Sequence, residues 1–452
     1  MQLCTKLNSL KTSVSALNGS ILSENGIFYY RRSGCEANFR VIPSTASCEA
    51  IPGLLCKMHN AKCIIVLYLC WKIKVMKTLK NPFPVSGYYG HAYFCDREDE
   101  AFALIRNVEN GLNTTLVSIR RMGKTGLIYH VFHELLKKKE IKSLYVDLYA
   151  TQSLKDMCGQ LAAAMFMVFP EKQSAGKKFL KLLKGLSPVI TYDPLTGLPE
   201  VHFEYARYRQ YEHSLASLFA FLEEQDSHIL VVMDEFQQIV QYPEKNTEAL
   251  LRTLIQKMKN CSFIFSGSNR HLMSQIFSNQ KRPFFASTQL LFLNAIPSEK
   301  YLPFIRTKFE EHKRTISDPA LAFIGEWTRL HTWYTQVVSS RLFAANIRSI
   351  DTEDVKSVCS NILKESEGVF YQYRNLLTPA QWQFVTAIAK EEKLYQPMSK
   401  DFLQKYGIPT AGNIPRLLQS LMAKEMIYRA EDNGQSCYVV YDCFLSRWLE
   451  KC

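Results

Sequence analysis

Several features that mark common protein classes are missing from this 452-residue chain. None of its 13 cysteines forms a C-x-x-C pair, so neither a zinc site nor a disulfide framework is indicated. Scattered single cysteines are typical of reduced, structural thiols in a cytosolic protein. The apolar run at Cys63–Trp71 has about half of the ~20 residues that a bilayer-spanning helix needs. We therefore expect no membrane insertion and a cytoplasmic location.

The formal net charge of +13 is unevenly distributed, which weakens the case for an acidic partner. Residues 1–75 hold nine Lys and Arg against three Glu, together with six of the 13 cysteines. This stretch shows neither a helical nor an alternating period, and Met76 after it is a plausible protein start. We expect residues 1–75 to be a disordered or mis-assigned leader, and a membrane-surface or targeting role is the alternative.

From Asn81 onward, segments with strand and helix patterns alternate. Runs rich in β-branched or apolar residues predict strands, and apolar residues at helical spacing predict helices. Their alternation predicts a parallel α/β sheet. A D-P-L-T-G-L-P turn within 187–205 separates two further strand patterns, which predicts a hairpin insertion. The expected strands of the sheet are 113–119, 142–150, 228–236 and 260–269, and the expected helices are 96–111, 123–139, 153–169 and 214–225.

Helical patterns dominate beyond Leu290, with few strand signals up to residue 368. Three further helical patterns then precede two strands joined by an Asn-Gly turn, an order that predicts a winged helix-turn-helix. The predicted domains are a core over 76–295, a helical lid over 296–368 and a winged helix over 369–452. In the last domain, helices are expected at 377–392, 399–407 and 410–427, and the hairpin at 427–442.

The stretch VSIRRMGKTGL at 117–127 approximates the phosphate-binding pattern G-x-x-x-x-G-K-[ST], with Ser118 in place of the first glycine. It follows a strand pattern and opens a helix, and backbone N–H groups at a helix N-terminus bind phosphate. Gly123 allows close backbone approach, Lys124 would contact the β- and γ-phosphates, and Thr125 would bind Mg²⁺. We expect the small side chain of Ser118 to be tolerated at a strand end.

The second half of this site is expected where the strand LVVMDEF ends. Asp234 would hold Mg²⁺ through its water shell, and Glu235 would orient and deprotonate the attacking water. An acidic pair that merely ends a strand at the surface is the alternative. Ser266, Ser268 and Asn269 follow the next strand, whose end neighbours the phosphate site in a doubly wound sheet. We expect one of them, Ser266 foremost, to sense the γ-phosphate or position water; a turn with helix-capping side chains is the alternative.

Three arginines are candidates for contacts with phosphate charge. Arg120 and Arg121, within the loop, would offset that charge or bridge to a neighbouring subunit of an oligomer. A solvated pair of loop arginines is the alternative. Arg282, in NQKRPFF, is a weaker candidate for stabilising developing charge.

Taken together, these motifs resemble the archaeal-type P-loop ATPases, which are similar to AAA+ and STAND signalling ATPases and occur widely in bacteria and archaea. The resemblance covers residues 76–452 and omits the leader. It implies an ATP-binding core of the ASCE class that uses Mg²⁺. The elements that carry it are NPF (81–83), FCDREDE (94–100), SIRRMGKT (118–125), VVMDEFQQIV (231–240), FIFSGSNRHLM (263–273) and the winged helix.

The resemblance also implies roles for particular residues. Arg97 matches the family's G-R-E-x-E element and would lie near the nucleotide base. HTWYTQ at 331–336 is similar to the family's lid helix, but His331 and Trp333 replace its Gly and Pro, so no lid sensor is assigned. The implied nucleotide-binding set is Ser118, Arg120, Arg121, Met122, Gly123, Lys124, Thr125 and Gly126, with Thr125 and Asp234 as metal ligands and Glu235 in the catalytic position.

The sequence therefore predicts an ATPase that acts as a nucleotide-dependent switch through its lid and winged helix, on a protein partner. One alternative is a DNA-transaction ATPase of a mobile element or defence system, with 409–425 as recognition helix. Residues 371–452 hold ten Lys and Arg against eight Asp and Glu, a weak positive balance for a reader of duplex DNA. A nucleotide-binding interaction scaffold without turnover is the other alternative.

Overall fold

The computed structural model describes residues 20–24, 27–32 and 35–40, and residues 79–451 apart from 139–140, 195–196, 206–207, 409–410 and 433. Within the first group, β1 (Ser20–Glu24), β2 (Ile27–Arg32) and β3 (Cys35–Arg40) pair in antiparallel fashion. The rest of the expected leader, including the apolar run at Cys63–Trp71 and Met76, lies outside the described residues. The assignment of residues 1–75 as a leader stays a prediction.

Helices and strands follow one another through the rest of the chain. In order they are α1 (Glu98–Glu109), β4 (Thr114–Val117), α2 (Lys124–Lys138), β5 (Ile141–Asp147), α3 (Leu154–Val168), α4 (Ser174–Gly185), β6 (Val189–Tyr192), β7 (Pro199–His202), α5 (Tyr208–Glu223), β8 (His228–Asp234), α6 (Thr247–Ile255), β9 (Cys261–Gly267), α7 (Arg270–Ser278), β10 (Gln289–Phe292), α8 (Ser298–Glu310), β11 (Thr315–Ile316), α9 (Asp318–Thr328), α10 (Thr332–Ala344), β12 (Ser349–Ile350), α11 (Thr352–Asn375), α12 (Pro379–Glu391), α13 (Lys400–Lys405), α14 (Ile414–Ala423), β13 (Ile427–Asp432), β14 (Gln435–Val440) and α15 (Cys443–Leu449).

The core is a five-stranded parallel sheet with the order β10-β4-β9-β8-β5. Because β9 lies between β4 and β8, the polar residues after β9 lie between the loop after β4 and the acidic pair after β8. Side chains alternate along each strand between the two faces of the sheet. Leu230, Val232 and Ile264 thus pack with α1 and α2, whereas Val231 and Phe263 pack on the opposite face with α3 and α5.

The hairpin predicted within 187–205 is present as β6 paired with β7. Edge strand β10 was missed, because its four residues are mostly exposed and show no burial pattern that marks a strand. Helix α5 begins at Tyr208, whereas the prediction began at residue 214. The residues before 214 are mostly polar, so the apolar pattern did not indicate the start of the helix. The paired strands β11 and β12 and the last helix, α15, were not predicted.

Helices α8 to α11 occupy the region predicted as a lid, which is called the lid below, and α12 to α14 with the β13–β14 hairpin form the helix-turn-helix and its wing. Helix α12 begins as its sequence indicates: Thr378 and Gln381 form a capping box, and Pro379 occupies the first turn. The lid and the winged helix share one hydrophobic core. Phe444 of α15 packs on Trp327 and Trp333 of the lid, so the two modules are joined by aromatic contacts.

Two further expectations concern thiols and membrane spans. Cys95, Cys158, Cys261, Cys359, Cys437 and Cys443 are free thiols, and all but Cys95 are buried, as expected for structural cysteines. Among the described helices, none combines the length and the apolar character that crossing a membrane requires.

Candidate nucleotide-binding site

The loop between β4 and α2 begins at Ser118, which is fully buried. Its hydroxyl donates to the carbonyl of Ile119 at 2.8 Å, and its N–H lies 3.4 Å from the carbonyl oxygen of Gly267. The φ angle of Ser118 is not positive, whereas that of Gly123 is 94°. Only the second of the two glycine positions in the pattern therefore needs the conformational freedom of glycine.

Lys124 is the first residue of α2 and is 6% exposed. Burial lowers the pKa of its ammonium group, while the carboxylates of Glu235 and Asp234 oppose that shift. The backbone N–H groups of the first helical turn have no partner within the helix. A buried cation beside a helix N-terminus is a site whose electrostatics favour an anion such as phosphate.

Asp234 ends β8 and is 4% exposed. Its Oδ2 atom accepts hydrogen bonds from the hydroxyls of Tyr145 at 2.5 Å and Thr125 at 3.4 Å. Burial and the charge of Asp234 raise the pKa of Tyr145, which keeps this phenol a donor. The hydroxyl and the carboxylate, brought together from α2 and β8, are the oxygen ligands that suit Mg²⁺. Tyr145 was missed because one aromatic residue in a strand carries no functional signal.

Glu235 has φ 53°, a left-handed conformation that is uncommon for residues other than glycine. This conformation turns the chain directly after β8. Its Oε2 atom accepts hydrogen bonds from Ser268 Oγ at 2.6 Å and Gln237 Nε2 at 2.5 Å. The carboxylate is therefore held against the end of β9 rather than exposed at a strand end.

The three polar residues after β9 differ in position. Ser268 contacts Glu235, whereas Asn269 caps α7 by accepting from Leu272 N at 3.0 Å. Ser266 is fully buried, and its Oγ has no hydrogen-bond partner in the described part of the chain. The structure therefore brings Ser268 to the acidic pair, and the assignment of Ser266 as the sensing residue stays a prediction.

Three consecutive lid residues bind three consecutive carbonyl groups of the loop. His331 Nε2 lies 3.0 Å from Arg120 O, Thr332 Oγ1 donates to Met122 O at 3.2 Å, and Trp333 N donates to Arg121 O at 3.2 Å. The segment that departs from the family's Gly and Pro is thus the one that contacts the loop. Because these contacts use loop backbone, a motif comparison does not reveal them.

The two loop arginines contact other parts of the same chain. The guanidinium of Arg121 lies over the Trp333 ring, 4.1 Å from its centroid, a cation–π contact with the lid. Arg120 pairs with Glu425 of the winged helix at 3.0 Å, and its N–H donates to the hydroxyl of Tyr441 at 2.7 Å. Both arginines therefore contact other modules of the same chain. From the sequence, phosphate, a neighbouring subunit and solvent were considered as their surroundings, but not these contacts.

Three other predicted residues have their described contacts outside the acidic pair. Arg97 precedes α1 with φ 76° and is 5% exposed, and its guanidinium donates to Glu100 and to the carbonyl of Asn294. Gly126 lies in the first turn of α2 beside the ring of Phe94. Arg282 forms an ion pair with Glu248 of α6.

His331 gives the lid contact a pH dependence. Burial lowers the pKa of its imidazole to about 4. The unfolded chain, with a histidine pKa of about 6.5, binds a proton that the folded chain rejects between these values. Stability should therefore fall as pH drops from about 6.5 to about 4, with a contribution on the order of 3 kcal/mol from this residue.

Urea unfolding of wild type and His331→Gln at pH 7 and pH 4.5 measures this contribution, because glutamine retains a donor for Arg120 O. The free energy of unfolding of the variant should depend less on pH than that of the wild type. His271→Gln, at an exposed position on α7, controls for the loss of any histidine. Equal pH dependence in His331→Gln and wild type would contradict the assignment.

Comparisons with known proteins agree with the fold described above. Residues 368–451 match a family model described as a probable winged helix domain. A Walker-type ATPase of Pyrococcus abyssi is similar in structure, with 18% identity over 81% of this chain and 99% of that chain and a TM-score of 0.57. No curated protein matches the sequence significantly.

Two proteins of Aeropyrum pernix are similar at lower TM-scores. The ORC2 protein, solved with ADPNP and ADP, is 15% identical over 78% of this chain and 92% of that chain, with a TM-score of 0.49. The ORC1 protein, solved in complex with DNA, is 12% identical over 82% and 96%, with a TM-score of 0.45. At these scores, the two similarities do not bear on the function of this chain. The predicted fold is confirmed: a parallel α/β core like that of P-loop ATPases, helical elements and a C-terminal winged helix.

Proposed function

We propose that this protein binds Mg²⁺ and ATP at the loop 118–125 and hydrolyses the nucleotide. Support comes from the convergence of a buried lysine, a hydroxyl and two carboxylates. Lys124 and Thr125 lie at the start of α2, and Asp234 and Glu235 lie at the end of β8. Thr125 and Asp234 would hold the ion, which when bound neutralises phosphate charge.

In the proposed reaction, Lys124 binds the β- and γ-phosphates and positions them at the N-terminus of α2. Glu235 accepts a proton from a water molecule, whose oxygen attacks the γ-phosphorus. The new P–O bond forms as the bond to the leaving ADP oxygen breaks, giving ADP and phosphate. Because Ser268 and Gln237 bond the Oε2 atom of Glu235, we propose that the other carboxylate oxygen, Oε1, accepts the proton.

The observation that supports a switch function is that the loop directly contacts two other modules. The lid binds the loop through His331, Thr332 and Trp333, and the winged helix binds it through Tyr441 and Glu425. Nucleotide phosphates would attract Arg120 and Arg121, so they compete with Glu425 and Trp333 for the same guanidinium groups. We propose that this competition couples the nucleotide state to the position of the winged helix, and thereby to a protein partner.

Duplex DNA is a second candidate partner, which the winged-helix match favours. Charge favours it less, because Lys424, next to α14, already donates to the carbonyl of Leu376 and to Gln381. Winged helices also act as protein-binding elements, and in this chain Tyr441 and Glu425 face the loop. A DNA-transaction ATPase would show turnover that increases with duplex DNA, whereas a switch for a protein partner would not.

Two substitutions test the coupling without touching the proposed phosphate and metal ligands. Trp333→Ala removes the cation–π contact, and Tyr441→Phe removes only the hydroxyl that accepts from Arg120 N. Each should lower the dissociation rate of a fluorescent ADP analogue about threefold to fivefold, since each removes about 1 kcal/mol of loop contact that competes with the nucleotide.

Stopped-flow measurement in the full chain, with and without duplex DNA, gives these rates. Tyr395→Phe is the matched control, because the hydroxyl of Tyr395 bonds Asp432 within the winged helix and does not contact the loop. ADP dissociation at the wild-type rate in both test variants would show that the lid and winged helix do not respond to the nucleotide.

A further inference from the structure

We propose that His91, His130, His133 and Glu134 form a binding site for a divalent transition-metal ion, of which zinc is the expected one. This site is separate from the loop and goes beyond the proposed ATPase function. His130, His133 and Glu134 lie on α2 at the i, i+3 and i+4 spacing that brings side chains to one face of a helix. His91 comes from the short helical turn His91–Tyr93, which precedes α1.

The donor atoms of three of these four residues already converge. One ligand atom from each of His91, His130 and Glu134 lies within 4.8 Å of the other two. The carboxylate oxygen Oε1 of Glu134 is 2.6 Å from His91 Nε2 and 3.3 Å from His133 Nδ1. Ligand atoms of a tetrahedral zinc site lie about 3.3 Å apart, given bonds of about 2.0–2.1 Å. The side chain of His91 is 56% exposed, so it is the ligand with the most room to adjust toward a bound ion.

The chemical type of the donors selects the ion. Imidazole nitrogen with one carboxylate oxygen suits zinc and its first-row neighbours, whereas Mg²⁺ and Ca²⁺ prefer oxygen ligands alone. Metal ligands must be neutral imidazoles and ionised carboxylates.

Surrounding groups hold the ligands in place. The Tyr88 hydroxyl lies 2.9 Å from Nδ1 of His130, and the Phe94 ring stacks on the His130 ring with centroids 4.3 Å apart. Such outer contacts orient a ligating imidazole. His130 is 6% exposed, and it stands against the segment that precedes α1. A bound ion would thus fasten that segment to the helix that begins at Lys124.

Substitution of Lys137 distinguishes a metal site from an ordinary ion-pair cluster. The ammonium group of Lys137 bonds both Glu134 oxygens, at 2.8 and 2.9 Å. If the cluster is only an ion pair, Lys137 is its natural cation and its removal does not create a binding site. If the cluster binds a metal ion, Lys137 is a competing positive charge, and its removal should strengthen metal binding.

Zinc titration of the full chain by isothermal calorimetry tests the site. Wild type should bind zinc at a class of site that His91→Ala weakens at least about tenfold. His202→Ala is the matched control, because His202 is similarly exposed and lies 3.5 Å from the Glu200 carboxylate, with no further ligand in the described clusters. His202→Ala should retain wild-type affinity. Equal affinity in His91→Ala and wild type would overturn the proposal.

Lys137→Met gives the second, opposite outcome. Removing the competing charge should increase zinc affinity severalfold, and the increase should disappear in Lys137→Met combined with His91→Ala. Cobalt absorption spectra of the same variants identify the donors, since nitrogen and oxygen ligation lacks the charge-transfer absorption of a thiolate. Thiolate absorption that persists in His91→Ala, or weaker zinc binding in Lys137→Met, would refute the site.

Discussion

Replacing Lys124 by alanine is expected to weaken ATP binding by about 100-fold or more. The lysine is buried at the N-terminus of α2, and burial lowers the pKa of its ammonium group, which makes an anionic partner favourable there. Two charge-assisted hydrogen bonds to phosphate, at about 1.5–3 kcal/mol each, correspond to this loss. Fluorescent-nucleotide titration of wild type and Lys124→Ala measures it.

Two controls make the result specific to the loop. Lys155→Ala removes a partly exposed lysine on α3, so it should leave ATP affinity unchanged. Lys124→Met keeps the length and apolar contacts of the side chain while removing the charge, and it should behave like Lys124→Ala. If both Lys124 variants bind ATP like the wild type, the nucleotide site lies elsewhere, whatever the fold.

Replacing Glu235 by glutamine is expected to lower ATP turnover by about 100-fold to 10,000-fold, the range that general-base catalysis contributes. Nucleotide affinity should stay within a fewfold of the wild type, because Glu235 is not among the proposed phosphate or metal ligands. Glutamine keeps the volume of the side chain and an oxygen that accepts from Ser268. Phosphate release under saturating ATP gives the turnover.

Glu244→Gln is the matched control for this substitution. Its carboxylate accepts from the N–H of Leu154 and lies outside the acidic pair, so turnover should remain at the wild-type rate. A wild-type protein that binds ATP without turnover, with Glu235→Gln indistinguishable from it, would identify a non-hydrolysing scaffold. Turnover retained in Glu235→Gln would instead remove Glu235 from the proposed mechanism.

The zinc measurement is independent of these two results. Of the proposed zinc ligands, His130, His133 and Glu134 lie further along α2 and His91 precedes α1, so each can be changed without altering the loop or the acidic pair. Zinc binding without ATP binding, or ATP turnover without zinc binding, would each be interpretable. Failure of the proposed ATPase function therefore leaves the metal proposal testable in the same protein.

The strand, loop and helix around Lys124 were predictable because each depends on local pattern. β-Branched residues precede the loop, and an amphipathic period follows it. The almost wholly apolar pattern of β8 predicted a strand buried on both faces, and that strand ends at Asp234 as expected. Edge strand β10 carried no comparable signal, since a short, exposed strand is selected by pairing with β4 rather than by its own side chains.

The sequence could not predict which of Ser266, Ser268 and Asn269 contacts the acidic pair. All three follow one strand, and side-chain direction depends on where the strand ends and the chain turns. The structure directs Ser268 to Glu235, uses Asn269 as a helix cap and buries Ser266. Tyr145 reaches Asp234 for a similar reason, because adjacent parallel strands place β5 beside β8.

By itself, the sequence determined the class of the core, the winged helix, and the positions of the loop and the acidic pair at strand ends, because these depend on short-range periodicity and fixed spacing. The tertiary structure alone decided what Arg120 and Arg121 contact. Their partners, Glu425, Tyr441 and Trp333, lie more than two hundred residues away along the chain. Such contacts depend on how three modules pack together, and packing is a property of surfaces that no local pattern records.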